Sequence, residues 1–550
     1  MDATVKKCKQ CGDNYEITSK ELELARKFEA VKQNLCFSCS QKNRLCFRNE
    51  RTLYNRKCDF SGESIISVYA PDKPYKVYKN DYWYSDKWDP LEYGQEFDFS
   101  RPFFEQYHEL QLKVPRNALL NINGTNSDYC NYTYSNKNCY LIFGGDFNED
   151  SMFGTLCMHN QNVLDCDYSN DSKFSYMLND AVNCYECQFV FDSKNCTNCY
   201  FISDCTNCTE CILCTNLNNK SYCINNIQLS KEEYFQKKQE FMTGGFLQQQ
   251  KNFQDFLELR KKRIVKYSHT LSCEHCSGDY LKNSKDCQNC YDASDSQDLY
   301  NVFFAAKARD SFDASLLGDN AQLIYNTVAC MQSYNIRYCY FVIDGSNLEY
   351  CEQIHNSQDL FGCISLRRKQ YCILNKQYSK EEFEDLRKKI IDHMKRTREW
   401  GQFFPKKLSC FGYNESPANE HYPMSKEEAL KQGFLWYEKD QMNRYEGGIY
   451  EIPDNIKDVP EQITKQILLC SDCKKNYRIV LKEFEFYKKM RLPIPRNCPD
   501  CRHKVRLSMR NPRRLYARMC MKCSAPVQTT YASERPEKVY CEKCYLETVY

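Results

Sequence analysis

No stretch of the 550-residue chain approaches the ~18 apolar residues that a membrane span requires. The chain opens Met1-Asp2-Ala3-Thr4-Val5-Lys6-Lys7-Cys8 without an apolar signal segment, and this favours the cytoplasm. Charge of one sign is lacking too. The 76 Lys and Arg face 73 Asp and Glu, a formal net charge of +3, so bulk charge selects no partner. The 8 histidines are scattered with no HExxH pair, and neither a GxxxxGK[ST] loop nor a GxSxG elbow occurs. Zinc-protease, P-loop and serine-hydrolase chemistry therefore lack their usual residues.

Cysteine is abundant, at 37 residues. Dense cysteine means disulfides in short secreted chains, whereas this chain is long and shows no leader. The odd count also leaves at least one thiol over in any all-disulfide scheme. Zinc thiolates in a reducing compartment fit better. With 42% apolar and 14% aromatic residues the chain can fill several cores, and disorder is not the reading.

The two ends share one cysteine pattern. CxxC pairs stand at Cys470/Cys473, Cys498/Cys501, Cys520/Cys523 and Cys541/Cys544, and subtracting 462 maps the first five of these cysteines onto Cys8, Cys11, Cys36, Cys39 and Cys58 without a gap. The residues between agree: Arg510, Asn511, Arg513, Leu515, Tyr516 and Arg518 reappear as Arg48, Asn49, Arg51, Leu53, Tyr54 and Arg56. One module has been used twice. A CxxC pair brings two thiolates to one metal from a tight turn, and a second pair completes a tetrahedron at about 2.3 Å per sulfur. The spacing predicts one site from Cys470, Cys473, Cys498 and Cys501 and another from Cys520, Cys523, Cys541 and Cys544, although other groupings, disulfides and free thiols stay open. In the N-terminal copy Cys8, Cys11, Cys36 and Cys39 keep the first site. The counterparts of Cys523, Cys541 and Cys544 are Ser61, Lys79 and Tyr82, so Cys58 stands alone, with Tyr78, Tyr82, Trp83, Tyr84 and Trp88 expected to replace the lost ion by packing. About three zinc ions per chain follow from this count.

These residues also carry a resemblance. Cys470-x2-Cys473, Glu485-Phe486-Tyr487, Pro495 and Cys498-Pro499-x-Cys501-Arg502 resemble the zinc-ribbon domain of many uncharacterised bacterial proteins. The closing run 531–550, with the internal cysteine repeats, is similar to long proteins of candidate bacterial phyla with small genomes. The resemblance implies zinc-binding, treble-clef-like modules and brings no established activity. Some of those proteins carry a CoA-transferase (CaiB/BaiF) name, and no residue pattern here supports that chemistry.

The expected order is an N-terminal zinc-ribbon module over 1–88, a connector over 89–117 with a short helix at Phe103 to Leu112, and a cysteine-rich β-solenoid half over 118–229. A helical insert over 230–267, a second solenoid half over 268–378, a helix over 379–400, an irregular linker over 401–465 and a double zinc-ribbon module over 466–550 follow. Capping boxes at Ser230-Lys231-Glu232-Glu233, Ser379-Lys380-Glu381-Glu382 and Ser425-Lys426-Glu427-Glu428 mark helix starts. The fold class is thus mainly β with helical inserts, a parallel β-solenoid in two halves between duplicated zinc-ribbon modules.

The solenoid reading rests on short β-prone pieces such as Asn138-Cys139-Tyr140-Leu141-Ile142-Phe143 and on a marker every nine residues: Cys130, Cys139, Asn148, Cys157, Cys166, and later Cys187, Cys196, Cys205, Cys214 and Cys223. Two such steps would make an eighteen-residue coil, placing Cys130 beside Asn148 and Cys166. The cysteines are expected inside as compact apolar groups. Cys205, Cys208, Cys211 and Cys214, or Cys273, Cys276, Cys287 and Cys290, can alternatively be cast as further zinc ligands.

Basic residues crowd the modules. Arg502, Lys504, Arg506, Arg510, Arg513, Arg514 and Arg518, with Arg48, Arg51 and Arg56 in the N-terminal copy, are candidates for contact with a nucleic-acid backbone, RNA ahead of DNA because no major-groove helix motif is evident. The plain alternative is that these side chains brace acidic patches of the protein itself. An interaction scaffold with a protein partner is the rival function. A polysaccharide-acting enzyme using Asp146, Glu149, Asp150, Asp165 and Asp167, or Asp292, Asp295 and Asp298, ranks below both. No small-molecule substrate and no membrane partner is expected.

Overall fold

A computed structural model describes residues 3–28, 34–438 and 450–549, so part of the expected linker, 439–449, lies outside the described residues. The fold is mainly β with helices. A nine-stranded sheet runs from Tyr140–Phe143 to Ile227–Gln228, and sheet neighbours are sequence neighbours throughout. A fourteen-stranded sheet runs from Thr270–Leu271 to Lys376–Gln377, and eleven of its strands follow one curled path. That path doubles back through the long strand Tyr340–Glu349, where Tyr340 pairs with Val328 at one end and Ser346 with Tyr334 at the other. Pairing is parallel until each sheet closes in an antiparallel hairpin, Cys223 opposite Gln228 and Cys372 opposite Gln377.

The step between paired strands is twelve residues, as in Met152–Leu164, Leu164–Tyr176, Tyr176–Gln188 and Gln188–Tyr200. The eighteen-residue step expected from the cysteine markers is therefore corrected, and Asn131, next to Cys130, bridges to Phe143. Within each step the chain bends every third residue. Asn183, Glu186, Phe189, Asp192, Asn195, Asn198, Phe201 and Asp204 all have φ between 48° and 58°. Asn and Asp tolerate this left-handed conformation best, while Phe189 and Phe201 bear a cost of roughly 1–2 kcal/mol each. Their rings stack at 4.5 Å and offset part of it.

The residue after each bend points inward, and its needs explain the cysteines. Where the inward side chain one step earlier is polar, it accepts from this amide: Cys184 N–H donates to Ser172 Oγ, Cys187 N–H to Ser175 Oγ, Asn160 N–H to Asn148 Oδ1 and Cys363 N–H to Cys351 Sγ. The hydroxyl or thiol then donates to the carbonyl two residues before it, as Ser175 does to Lys173 and Cys351 to Glu349. Cys, Ser and Asn are interchangeable there because each accepts from an amide in a narrow space, a stricter requirement than small apolar size. The nine-residue marker is a diagonal, one twelve-residue step less one three-residue side. Cys187 Sγ accordingly reaches the carbonyl of Cys196, and Cys196 Sγ that of Cys205.

Helices cover the sheets. Those of eight residues or more are α1 (Ser19–Lys27), α2 (Phe37–Leu45), α3 (Phe103–Lys113), α4 (Lys231–Phe241), α5 (Phe246–Lys261), α6 (Lys380–Arg396), α7 (Leu481–Met490), α8 (Pro499–Ser508) and α9 (Glu542–Val549). All three capping boxes form, with Ser230, Ser379 and Ser425 accepting from the amides of Glu233, Glu382 and Glu428. Helix α5 lies along the first sheet, its Phe253 and Phe256 rings each 5.5 Å from Phe189 and Phe191. The cysteine modules dock crosswise. The N-terminal one packs on the second sheet through Phe28 on Tyr325 and Phe47 on Tyr340, and α8 of the C-terminal one lies on the first.

The inward hydrogen bonds make a test. Cys351→Ser keeps donor and acceptor and should leave the urea midpoint nearly unchanged. Cys351→Ala orphans the buried Cys363 amide and should cost about 1–3 kcal/mol, and equal midpoints for the two variants would contradict the account.

Candidate metal centres and the basic helix faces

Four equivalent turns build the cysteine sites. In each, the first cysteine donates its amide to a carbonyl five residues on and accepts at its own carbonyl from the residue four on: Cys8 with Asp13 and Gly12, Cys58 with Glu63 and Gly62, Cys470 with Lys475 and Lys474, Cys520 with Ala525 and Ser524. The fourth-on residue is left-handed in all four turns, at φ 81° and 74° for Gly12 and Gly62 and 59° for Lys474 and Ser524. This fold-back leaves the CxxC thiols side by side. The partner pair comes from a helix start, with Cys36 and Cys498 capping α2 and α8.

Three groups of four sulfurs result: Cys8, Cys11, Cys36 and Cys39; Cys470, Cys473, Cys498 and Cys501; Cys520, Cys523, Cys541 and Cys544, each with all four sulfurs within 4.8 Å of one another. Sulfur pairs in contact include Cys11–Cys36 at 3.7 Å, Cys473–Cys498 at 3.6 Å and Cys523–Cys541 at 3.7 Å. Four sulfurs about 2.3 Å from a central ion stand about 3.8 Å apart, so each group can hold a metal ion with little movement. The grouping is the one expected from the spacing, and all 37 cysteines are free of disulfides. Backbone donors suit thiolates here. Burial would raise the Cys470 and Cys520 thiols, but amide donors, those of Cys498 and Cys541 foremost, bring them down to about 7 and about 6.

The degenerate position keeps the turn without the ligands. Lys79 N–H donates to Cys58 Sγ at 3.3 Å, as Cys541 N–H does to Cys520 Sγ at 3.2 Å. Phe60 packs on Tyr78 and Tyr82 at 5.3 and 4.9 Å, Tyr78 on Trp88 at 5.4 Å, and Trp83 is fully buried against Tyr84. Cys273, Cys276, Cys287 and Cys290 do not gather into such a group among the described residues, nor do Cys205, Cys208, Cys211 and Cys214. These cysteines hold inward positions, as Cys287 and Cys290 show by donating to the carbonyls of Lys285 and Gln288.

One further group, Asp192, Asp204 and His269, sits close enough to share an ion. Its charges are already matched. Arg260 Nη2 lies 3.0 Å from Asp192 and Arg263 Nε 2.9 Å from Asp204. Burial would lower the pKa of His269, yet Asp279 at 2.9 Å and Asp192 hold it up at about 9, so the imidazole is a cation and a donor.

The basic residues of the modules mostly face inward. On α8, Arg502, His503 and Arg506 share one face one helical turn long. Arg506 is fully buried, with Nη1 2.8 Å from Asp165, Nε 2.9 Å from Asp167 and Nη2 3.1 Å from the Phe153 carbonyl. Arg502 meets Asp165 at 2.8 Å and Glu483 at 3.3 Å, and His503 meets Asp167 at 2.9 Å. Arg510 binds Asp180 and Asp292 between the rings of Tyr168 and Tyr280. Arg513 lies over Phe303, and Arg518 donates to the Ala532 carbonyl. In the N-terminal copy Arg48 pairs with Glu50 at 2.6 Å, Arg51 donates to Thr155 Oγ1 at 2.7 Å and Arg56 pairs with Asp59 at 2.9 Å. Lys504 and Arg514 are exposed and meet no carboxylate within ion-pair distance among the described residues. Arg44 of the N-terminal basic run, the counterpart of Arg506 by the offset of 462, is fully buried on α2 near Asp313.

No protein-family model matches the chain, and no curated protein matches it. A solved structure from Desulfovibrio desulfuricans G20, provisionally named an acetyltransferase, is similar at 9% identity and a TM-score of 0.11, covering 48% of this chain and 69% of its own. That likeness carries no argument about fold or activity. No helix among the described residues is long and apolar enough to cross a membrane.

Purified protein should carry about three metal ions per chain by elemental analysis. Cys473→Ser should remove one of them and Cys58→Ser none, so an ion count unchanged by the first would contradict the grouping. Arg506→Ala, which takes one partner from each of two buried carboxylates, should cost about 3–5 kcal/mol by urea unfolding, while Lys504→Ala should stay within about 0.5 kcal/mol.

Proposed function

We propose that the chain is a zinc-binding, non-enzymatic protein that contacts nucleic acid, RNA ahead of DNA, in a reducing cytoplasm. Each tetrathiolate would hold zinc, the metal that suits four sulfurs in a closed tetrahedral site without redox change. In this reading the two parallel sheets are halves of one solenoid with twelve-residue turns, flanked by the zinc-ribbon modules within the boundaries given above.

One observation carries the binding function: Lys42, Lys475, Lys504 and Arg514, all from the two modules, border a common cavity and lack carboxylate partners among the described residues. Cations left unmatched in a chain of near-zero net charge suit a phosphate backbone. The scaffold reading has its own support, since most of the arginines read as backbone contacts instead brace the sheets. Against a polysaccharide enzyme stand Asp165, Asp167 and Asp292, whose carboxylates are engaged by arginine.

The test is to recover the protein from its own cells with and without ribonuclease. Co-purifying RNA that leaves at high salt, with affinity falling by orders of magnitude between about 50 and 200 mM salt, is the expected result. Protein partners that survive nuclease, with no nucleic acid present, would decide for the scaffold.

A further inference from the structure

The two module copies pack chiefly on different sheets and both line one cavity of about 1420 Å³. This exceeds the ~300–1,000 Å³ of ordinary small-ligand clefts. Its walls carry the same residue twice, Lys42 with Lys504 and Arg51 with Arg513, each pair separated by 462 positions. The cavity therefore lies between equivalent surfaces. It offers similar groups from two sides, as a ligand with repeated anionic groups requires.

Arg513 is the unusual member. Its side chain is 7% exposed and is fixed by Phe303 beneath it, with the guanidinium carbon 3.1 Å from the ring centre. Nη2 donates to Tyr168 Oη at 3.3 Å and His421 Nε2 at 3.0 Å. Its nearest carboxylate, Asp292, is 4.0 Å away and already bound by Arg510, and Nη1 is buried without a hydrogen-bond partner. A buried charged donor left unpaired is costly, and an anion entering the cavity removes that cost. Its counterpart Arg51 is held by Thr155, with Glu420 and Asp500 only at 3.9 and 3.8 Å. Tyr129, 41% exposed, and the half-buried Tyr516 border the same space. Helices α2 and α8 are both laid against the sheets, so neither is free to enter a duplex groove.

We infer that this cavity is the site of a single-stranded polynucleotide, with Arg513 the fixed anchor of one phosphodiester, Lys42 and Lys504 serving its neighbours, and bases stacking on Tyr129 and Tyr516. The inference rests on the nucleic-acid reading above and adds the place and the form of the ligand. Bases of any sequence stack on such faces, so binding is sequence-tolerant.

The experiment uses the full, metal-loaded chain and a labelled single-stranded RNA, with anisotropy read across a salt series. Lys42→Ala with Lys504→Ala should lower the slope of log affinity against log salt by about 1.4, two phosphates at about 0.7 each. Arg513→Gln should weaken binding about tenfold. Lys231→Ala with Lys388→Ala, on exposed faces of α4 and α6 far along the chain, should change nothing. The lysine pair, one half-buried and one exposed, keeps the test valid if Arg513→Gln fails to fold. Wild-type binding with an unchanged slope in the lysine variant overturns the cavity site while leaving nucleic-acid binding in place. No binding by the wild type overturns both. Displacement of the strand by an equal concentration of AMP overturns the strand in favour of a small phosphorylated ligand.

Discussion

The hydrogen bond from an inward amide to the inward side chain twelve residues earlier is the constraint from which the rest of the molecule follows. Bending every third residue keeps the interior narrow and turns amides into it. A buried amide left unpaired is costly, so many inward positions hold Ser, Cys, Asn or Thr, and these also serve the amides of apolar inward residues such as Val163 and Ala181. The column Asn136, Asn148, Asn160, Ser172, Cys184 displays the exchange along successive steps. Cysteine there serves as a small hydroxyl substitute with a more apolar body.

The same bends prepare the docking surface. Left-handed positions favour Asn and Asp, and the bends at Asp165, Asp180, Asp192, Asp204 and Asp292 each put a carboxylate on the outside of a sheet. Arg506, Arg510, Arg260 and Arg263 take those carboxylates. A residue chosen to bend the backbone thereby also becomes an anchor for a helix. The cysteine turns supply the other half, because Cys36 and Cys498 start α2 and α8 and so set which face of each helix meets its sheet. Removing metal would free those helix starts, and the buried ion pairs on α8 depend on that orientation.

Local and repeated features were legible in the sequence. The offset of 462 exposed the duplicated module, the CxxC spacing exposed the sulfur groups, and the capping boxes, whose partners lie three residues apart, marked helix starts correctly. The nine-residue marker misled because it runs diagonally across the twelve-residue step, and the periodicity of one residue type does not distinguish a row from a diagonal. The partners of the buried arginines were not legible for a different reason. Arg506 and Asp165 are 341 residues apart, and nothing local to either says that one neutralises the other. A basic run beside a zinc knuckle reads the same whether its charges face a phosphate backbone or a buried carboxylate.

The account stands on metal held by sulfur at both ends of the chain. X-ray absorption at the zinc edge of the purified protein tests this most directly. The account predicts a single shell of four sulfurs at about 2.3 Å, with no lighter ligand. A shell containing nitrogen or oxygen, or protein free of zinc with these cysteines joined by S–S bonds of about 2.05 Å, would contradict it.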